Sequence, residues 1–296
     1  MSITVIGGRS SEDLARKISE RLGADFILPD VRTFPDGESK VTFPRNPEPG
    51  KIIVVNSTSP PVDTNLIQTL SMISKAGKFS DDVLSVIPYM GYSRQDREFL
   101  PGEVPTLSVV AKLLESAGSS KTISVDMHSE IGMSYFKGPM DNISAIPDLV
   151  SEVKKMDLEN PVVVSPDSGG SKRAESFSKI YGTDSTFLDK VRDKETGLVE
   201  IVSGDLPALD GRDVIIMDDM ISTGGSISKS AGFLKRNGCG RIVVACTHAI
   251  FAGNSQNTIM DSGVEKIIST NTVQNPTSVV DVSEPIAGSI SRWIGE

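Results

Sequence analysis

One pattern occurs twice along the chain, and it limits the folds open to it. IIVVNST leads into a helical stretch ending at Ala76-Gly77 and then into the strand VLSVIPYMGYS. VIIMDDMISTGG leads into a helical stretch ending at Asn237-Gly238 and then into RIVVACTHAIFAG. Both copies read strand, Ser/Thr-rich loop, helix, strand. Short β-branched runs alternating with amphipathic segments indicate α/β architecture with largely parallel sheets. The repetition implies two similar halves, joined near residues 140–146. Strands are expected over 3–6, 52–56, 83–88, 122–126, 162–165, 186–188, 199–202, 214–217, 242–246, 267–269 and 278–282. Helices are expected to start near Ser11, Val62, Thr106, Ile146, Gly170, Ser226, Asn254 and Pro285. The domains expected are 1–143 and 144–284, with a C-terminal helix over 285–295 that can pack on the first.

The 296 residues suffice for two domains, each with its own core. A formal net charge of −9 repels a phosphate backbone, so a nucleic-acid partner is not expected. It does not exclude a small phosphorylated ligand, because a nest of backbone amides can overrule the global field locally. Cys239 and Cys246 form no CxxC, and the reading is two buried, reduced thiols. His128 and His248 are the only histidines, so a metal must rely mainly on carboxylates, water and ligand oxygens, which suits Mg²⁺. No apolar stretch is long enough to cross a bilayer and no basic leader opens the chain. A cytoplasmic protein with no membrane partner is expected.

The sharpest local signal runs from Val214 to Ser226, VIIMDDMISTGGS. An apolar strand is read as ending in Asp218 and Asp219. Ser222, Thr223, Gly224 and Gly225 follow, and a helix opens at Ser226. The glycines let successive N–H groups converge on a phosphate, and the helix N-terminus and hydroxyls add to its field. The acids cannot bind phosphate; ribose hydroxyls and a magnesium ion are their natural partners. Gly-Gly alone would fit any strand–turn–helix junction. Two acids and S-T-G-G-S behind four apolar residues resemble the phosphoribosyl-binding motif of type I phosphoribosyltransferases. The GxxxxGK spacing of a P-loop is absent.

Further segments carry chemistry at other strand ends. In Phe34-Pro35-Asp36-Gly37-Glu38 an aromatic ring can stack on a purine, and carboxylates can accept its amine protons. Arg94 and Gln95, in YSRQDR, follow a strand, where arginines suit ATP phosphates. Asp126 and His128 are spaced i, i+2, so in an extended strand both point to one side. Asp167, Ser168, Gly169 and Gly170 form a second Gly-rich anion loop, opening a helix that carries Lys172 and Arg173. Lys190 and Arg192 lie on one face of an extended segment, where they can stabilise transition-state charge.

Taken together, FPDGE, YSRQDR, VDMHS, PDSGG, DKVR and DDMISTGGS resemble the ribose-phosphate pyrophosphokinase family, in order from about Gly7 to Val282. The resemblance implies two type I phosphoribosyltransferase-like domains, Mg²⁺, ATP as co-substrate and ribose 5-phosphate. It assigns Phe34, Asp36, Gly37, Glu38, Arg94 and Gln95 to ATP, with the 34–38 loop donated by a neighbouring subunit of a homo-oligomer whose minimal unit is a dimer. His128 and Asp167 match the magnesium site, and Asp167, Ser168, Gly169 and Gly170 the pyrophosphate loop. Lys190 and Arg192 match the mobile catalytic loop. Arg192, Asp218, Asp219, Ser222, Thr223, Gly224, Gly225 and Ser226 are assigned to ribose 5-phosphate. Ser222 stands where many members have aspartate and Ser226 where threonine is usual. EFLPGEVP replaces a basic stretch, and the length resembles the compact archaeal-type members.

The activity so implied is attack of the anomeric hydroxyl on the β-phosphorus of ATP, with AMP leaving. Asp219, or metal polarisation of the hydroxyl, is available to take the proton. A phosphoribosyltransferase that consumes the activated sugar also fits DDMISTGGS, but not RQDR and FPDGE. A catalytically silent regulatory subunit of the same family is countered by His128, Lys190 and Arg192.

Overall fold

The computed structural model describes residues 2–192, 199–202 and 209–295, of which 190–192 and 199–202 by their backbone alone. The chain divides into two units, Met1–Ser144 with Asn271–Gln274 and Asp281–Glu296, and Ala145–Thr270 with Asn275–Val280. Residues 271–274 and 281–284 therefore go with the first unit.

In chain order the first unit contains β1 (Ser2–Gly7), α1 (Glu12–Leu22), β2 (Asp25–Ile27), β3 (Asp30–Thr33), β4 (Ser39–Thr42), β5 (Gly50–Val55) and α2 (Val62–Ala76). It continues through β6 (Val83–Ile87), α3 (Thr106–Ala117), β7 (Lys121–Val125), α4 (Glu130–Met133) and β8 (Met140–Ile143). Six strands form one parallel sheet in the order β2-β1-β5-β6-β7-β8. Between β2 and β5 the chain makes a separate antiparallel ribbon, β3–β4. The strands β5, β6 and β7 are covered on both faces, which is why they read as unbroken apolar runs. Ile52 and Val54 of β5 and Val83 and Ile87 of β6 share a core with Met72, Ile73, Leu107 and Leu114 of α2 and α3, each side chain contributing about 1.5–3 kcal/mol by leaving water.

The second unit contains α5 (Ile146–Val153), β9 (Val162–Ser165), α6 (Ser171–Tyr181), β10 (Ser185–Phe187), β11 (Asp189–Arg192) and β12 (Val199–Val202). Then follow β13 (Val214–Ile221), α7 (Gly225–Arg236), β14 (Ile242–Ala249), α8 (Ser255–Asp261), β15 (Lys266–Thr270) and β16 (Ser278–Val280). Its sheet has the order β10-β9-β13-β14-β15-β16, also parallel throughout. Counted within each unit, both sheets run 2-1-3-4-5-6. Both also place an antiparallel ribbon between their second and third strands, β3–β4 in one and β11–β12 in the other. The repetition read from two short stretches thus extends to the whole topology. Each sheet has its switch point between its first and third strands, where a parallel fold opens a crevice at the strand C-termini.

The C-terminal helix, Ser283–Gly295, packs on α1 of the first unit. Lys51 Nζ donates to the Trp293 carbonyl at 2.7 Å and lies 4.4 Å from the centre of its ring. Asp281 begins this segment, accepting from the Ser283 amide at 2.9 Å, Asn271 Nδ2 at 2.9 Å and Lys17 Nζ at 3.1 Å.

Several boundaries differ from expectation. β13 continues past Met217 through both acids to Ile221, because β14 also runs on to Ala249 and pairs with it residue by residue. Helix α7 opens at Gly225 rather than Ser226, with Gly224 as its cap at φ 74°. β7 stops at Val125, and Asp126 adopts φ 36°.

Candidate active site

The second unit brings two Gly-rich loops together, because β9 and β13 are neighbours in the sheet and both loops leave their C-terminal ends. The loop after β13 begins with Ser222, half-buried, and Thr223, exposed. Gly224 sits in the left-handed region, where a side chain would also lie 2.9 Å from Ile259 and 3.2 Å from the Ser255 carbonyl. Gly225 has a different reason to be glycine. A Cβ there would meet only Thr223 Oγ1, at 3.9 Å, so its small size leaves space outside the protein. Helix α7 starts at Gly225, so the positive end of its dipole lies at this turn. Ser226 lies exposed in the first turn.

The loop after β9 is a short helical turn, Ser168–Gly170, capped by Asp167, whose Oδ1 accepts from the Gly169 amide at 3.1 Å. Ser165 Oγ donates to the Asp167 carbonyl at 2.7 Å, and a Cβ at Gly170 would collide with that hydroxyl. Ser168 and Gly169 are exposed, and Asp167 is half-buried.

Asp218 and Asp219 lie within β13, so their side chains leave opposite faces of the strand. Burial and the adjacent Asp219 push the Asp218 carboxyl well above the usual carboxylate range, with Arg173 opposing. Asp219 is 1% exposed and pairs with Arg173 NH2 at 2.9 Å. An ion-paired, buried carboxylate cannot take a proton from a sugar hydroxyl without breaking that pair, which weighs against Asp219 as the base. Cys246, opposite Asp218 on β14, is buried and free, as is Cys239. Burial, then the two acids, push the Cys246 thiol well up, which keeps it protonated.

In the first unit the ligand-type residues stand at the ends of β6 and β7, also neighbours. Arg94 and Gln95 are exposed; Gln95 Oε1 accepts from Thr106 Oγ1 at 2.8 Å, which ties the loop to the start of α3. His128 is exposed and Asp126 half-buried. Since β7 has ended before Asp126, strand alternation does not place the two on one side, and that expectation fails. Asp96 of the same RQDR run is buried, and Ser129 Oγ donates to it. Tyr135 OH donates to the Asp96 carbonyl at 2.6 Å. This acid joins the Arg94 loop to the His128 loop. The 34–38 segment forms the tip of the β3–β4 ribbon. The Phe34 amide donates to the Glu38 carbonyl at 2.8 Å and the Gly37 amide to the Phe34 carbonyl at 2.9 Å, with Gly37 at φ 93°. Phe34 is half-buried, with the Arg32 guanidinium 5.1 Å from its ring centre, and Asp36, Gly37 and Glu38 are exposed.

Lys190 and Arg192 belong to β11, in the second unit's ribbon; their side chains lie outside the described residues. Among the described residues, no group of three His, Cys, Asp or Glu side chains could hold a metal. Also among the described residues, no helix is long and apolar enough to cross a membrane. Sequence alone does not show that Arg173 and Asp96 fasten these loops. Their partners lie 46 and 33 positions away, and no local pattern marks such a pair.

The fold and its two loops define a tandem of phosphoribosyltransferase-like units. The model of the N-terminal domain of ribose phosphate pyrophosphokinase matches residues 3–118, and that of the phosphoribosyl transferase domain matches residues 141–285. The chain is 37% identical to a ribose-phosphate pyrophosphokinase of Methanopyrus kandleri, over 95% of this chain and 96% of that one. It is 35% identical to one of Haemophilus ducreyi, over 99% and 96%. The crystal structure of phosphoribosylpyrophosphate synthetase from Mycobacterium smegmatis superimposes with a TM-score of 0.89 at 26% identity, covering 100% of this chain and 99% of that one. The chain belongs to the ribose-phosphate pyrophosphokinase family.

Proposed function

We propose that the chain transfers the pyrophosphoryl group of ATP to the anomeric hydroxyl of ribose 5-phosphate, giving 5-phosphoribosyl 1-pyrophosphate and AMP. The bond formed joins the sugar O1 to the β-phosphorus; the bond broken joins that phosphorus to the oxygen that leaves on AMP. The observation that carries this reading is the pair of anion loops side by side at the switch point of the second unit. The 222–226 loop suits the 5-phosphate, and Asp218 the ribose hydroxyls. The 167–170 loop suits the pyrophosphate as it arrives. Lys190 and Arg192 supply positive charge as the transferring group passes. Arg94, Gln95 and the 34–38 tip hold ATP, the exposed Asp36 and Glu38 accepting from the adenine amine. His128 and Asp167 would hold Mg²⁺, which neutralises phosphate charge when bound. Little covalent work falls to the protein, whose tasks are alignment and charge neutralisation.

The exposed 34–38 tip stands on its own ribbon, which is consistent with service to a neighbouring chain in a homodimer. Two free cysteines and a metabolic family fit a cytoplasmic setting. The deciding assay follows AMP formed from ATP with and without ribose 5-phosphate. AMP that appears only with the sugar phosphate supports the reading; none in either case refutes it. For the shared site, a variant with Asp36→Ala and Glu38→Ala is refolded together with Lys190→Ala. Assayed at ATP far below the raised KM of the Asp36→Ala, Glu38→Ala chain, where both parents are inactive, activity should return to about a quarter of wild type by the symmetry of hybrid dimers. A mixture as inactive as its parents assigns the tip to its own chain.

A further inference from the structure

We infer that Arg173 is a positioning residue for ribose 5-phosphate, anchoring through its pair with Asp219 the end of β13 that leads into the ribose-phosphate loop. The inference rests on the function proposed above. Arg173 is the third residue of α6 and follows the 167–170 loop directly. Asp219 precedes the 222–226 loop on β13. Their 2.9 Å pair therefore ties the start of α6, which follows β9, to the end of β13 beside it.

Three observations set it apart from an ordinary helix ion pair. A cation in the first turn of a helix opposes the helix dipole, so this position disfavours arginine unless an anion answers it. Both partners are withdrawn from solvent, with side chains 23% and 2% exposed, and such a pair is held together by the cost of leaving either charge alone. Arg173 Nε is buried without a hydrogen-bond partner among the described residues, so the reach of NH2 to Asp219 leaves this donor unmade. The pair also balances charge. Asp218 and Asp219 are adjacent at a place that must accept a phosphate dianion. Arg173 cancels one of them, leaving Asp218 to meet the sugar.

The test is calorimetric binding to the full chain. Wild type is titrated first with ribose 5-phosphate and with Mg-ATP; failure of the sugar phosphate to bind there would count against the proposed function itself. Arg173→Met should weaken ribose 5-phosphate by about 10-fold or more, with Mg-ATP changed by less than about threefold, as expected for a lost buried contact local to one ligand. A second variant, Arg173→Met with Asp219→Asn, removes both charges and leaves no uncompensated carboxylate, so it guards against misfolding of the first. It should bind ribose 5-phosphate no better than Arg173→Met, because the two residues act as one unit. Wild-type affinity in the double variant, a folded Arg173→Met within twofold of wild type, or equal losses for both ligands would each overturn the assignment.

Discussion

Between β1 and β5 the crevice of the first unit is filled by its own side chains, whereas the corresponding crevice between β9 and β13 is lined by glycines, hydroxyls and an acid. Asn56, fully buried at the end of β5, occupies the space where a side chain on Gly8 would stand. Its Oδ1 lies 2.6 Å from Ser10 Oγ, and its Nδ2 donates to Thr69 Oγ1 at 2.9 Å. Ser57 is consumed as well. Its amide donates to Ser11 Oγ at 2.8 Å, and its hydroxyl accepts from the Tyr89 amide at 3.1 Å. Thr58 Oγ1 accepts from the Gly91 amide at 2.7 Å. The first unit thus has the Ser/Thr loop of an anion site with its donors turned inward, and Arg94, Gln95 and His128 stand instead after the next two strands, β6 and β7. A shared topology locates a crevice; hydrogen-bond saturation decides whether a ligand can use it.

The contrast can be broken at several points. The largest effect is expected in the ribbons. Lys190→Ala on the second unit's ribbon should lower kcat by roughly 10²–10³-fold with smaller changes in KM. Asp36→Ala on the first unit's ribbon should act mainly on KM for ATP. Steady-state kinetics that showed the same kcat loss for both would erase the distinction between the ribbons. Next comes Gly225→Val, which should weaken ribose 5-phosphate by roughly 10²-fold while Mg-ATP binding holds, because the space it fills is otherwise left for a ligand. Equal losses in parallel titrations would contradict the assignment of that loop. Asn56→Ala should cost about 1–3 kcal/mol of stability, the expense of leaving buried donors unmade. It should leave kcat near wild type; a large kcat loss in the folded variant would mean that the first crevice is in use after all.

The smallest effect concerns the outer fastening of the first unit. Burial works against the Asp281 carboxylate, but hydrogen bonds from Ser283, Asn271 and Lys17 outweigh it and hold its pKa below the ordinary 3.8. A depressed acid stabilises the fold at pH values above its unfolded value, and that stability is lost as pH falls through the folded value. Thermal melts from pH 6 to pH 3 should therefore show wild type losing more on acidification than Asp281→Asn. Parallel curves would remove Asp281 from the acid response.

What the sequence made legible was whatever an apolar run could carry. The strands β5, β6, β7, β9 and β14 announce themselves because both faces are buried. The pair β3–β4, the strand β11 and the edge strand β8 do not, since half or more of their residues are polar, and β2 is too short to show a pattern. DVRT and SKVT look like loop on any local pattern, and only pairing with each other makes them strands. The phosphate loops were readable from glycine, hydroxyl and acid in close order. Their fastening was not. Arg173 with Asp219, Asp96 with Ser129 and Asn56 with Ser10 are pairs between distant positions, and each is set by the packing of a helix or a loop on a neighbouring strand.

The extension of β13 through Asp218 and Asp219 has a thermodynamic consequence. Asp218, Met220 and Ile221 are laddered to Cys246, His248 and Ala249 of β14. The backbone that carries Asp218 is therefore ordered when the protein folds, before any ligand arrives. A carboxylate on a flexible loop would have to surrender about 1–2 kcal/mol of conformational entropy per ordered residue on binding. Here that loss falls on folding and not on any later binding by Asp218. Amide hydrogen exchange offers a direct view: the β13 amides through Ile221 should exchange slowly with or without ribose 5-phosphate, while those of the 222–226 turn should slow only when the sugar phosphate is bound.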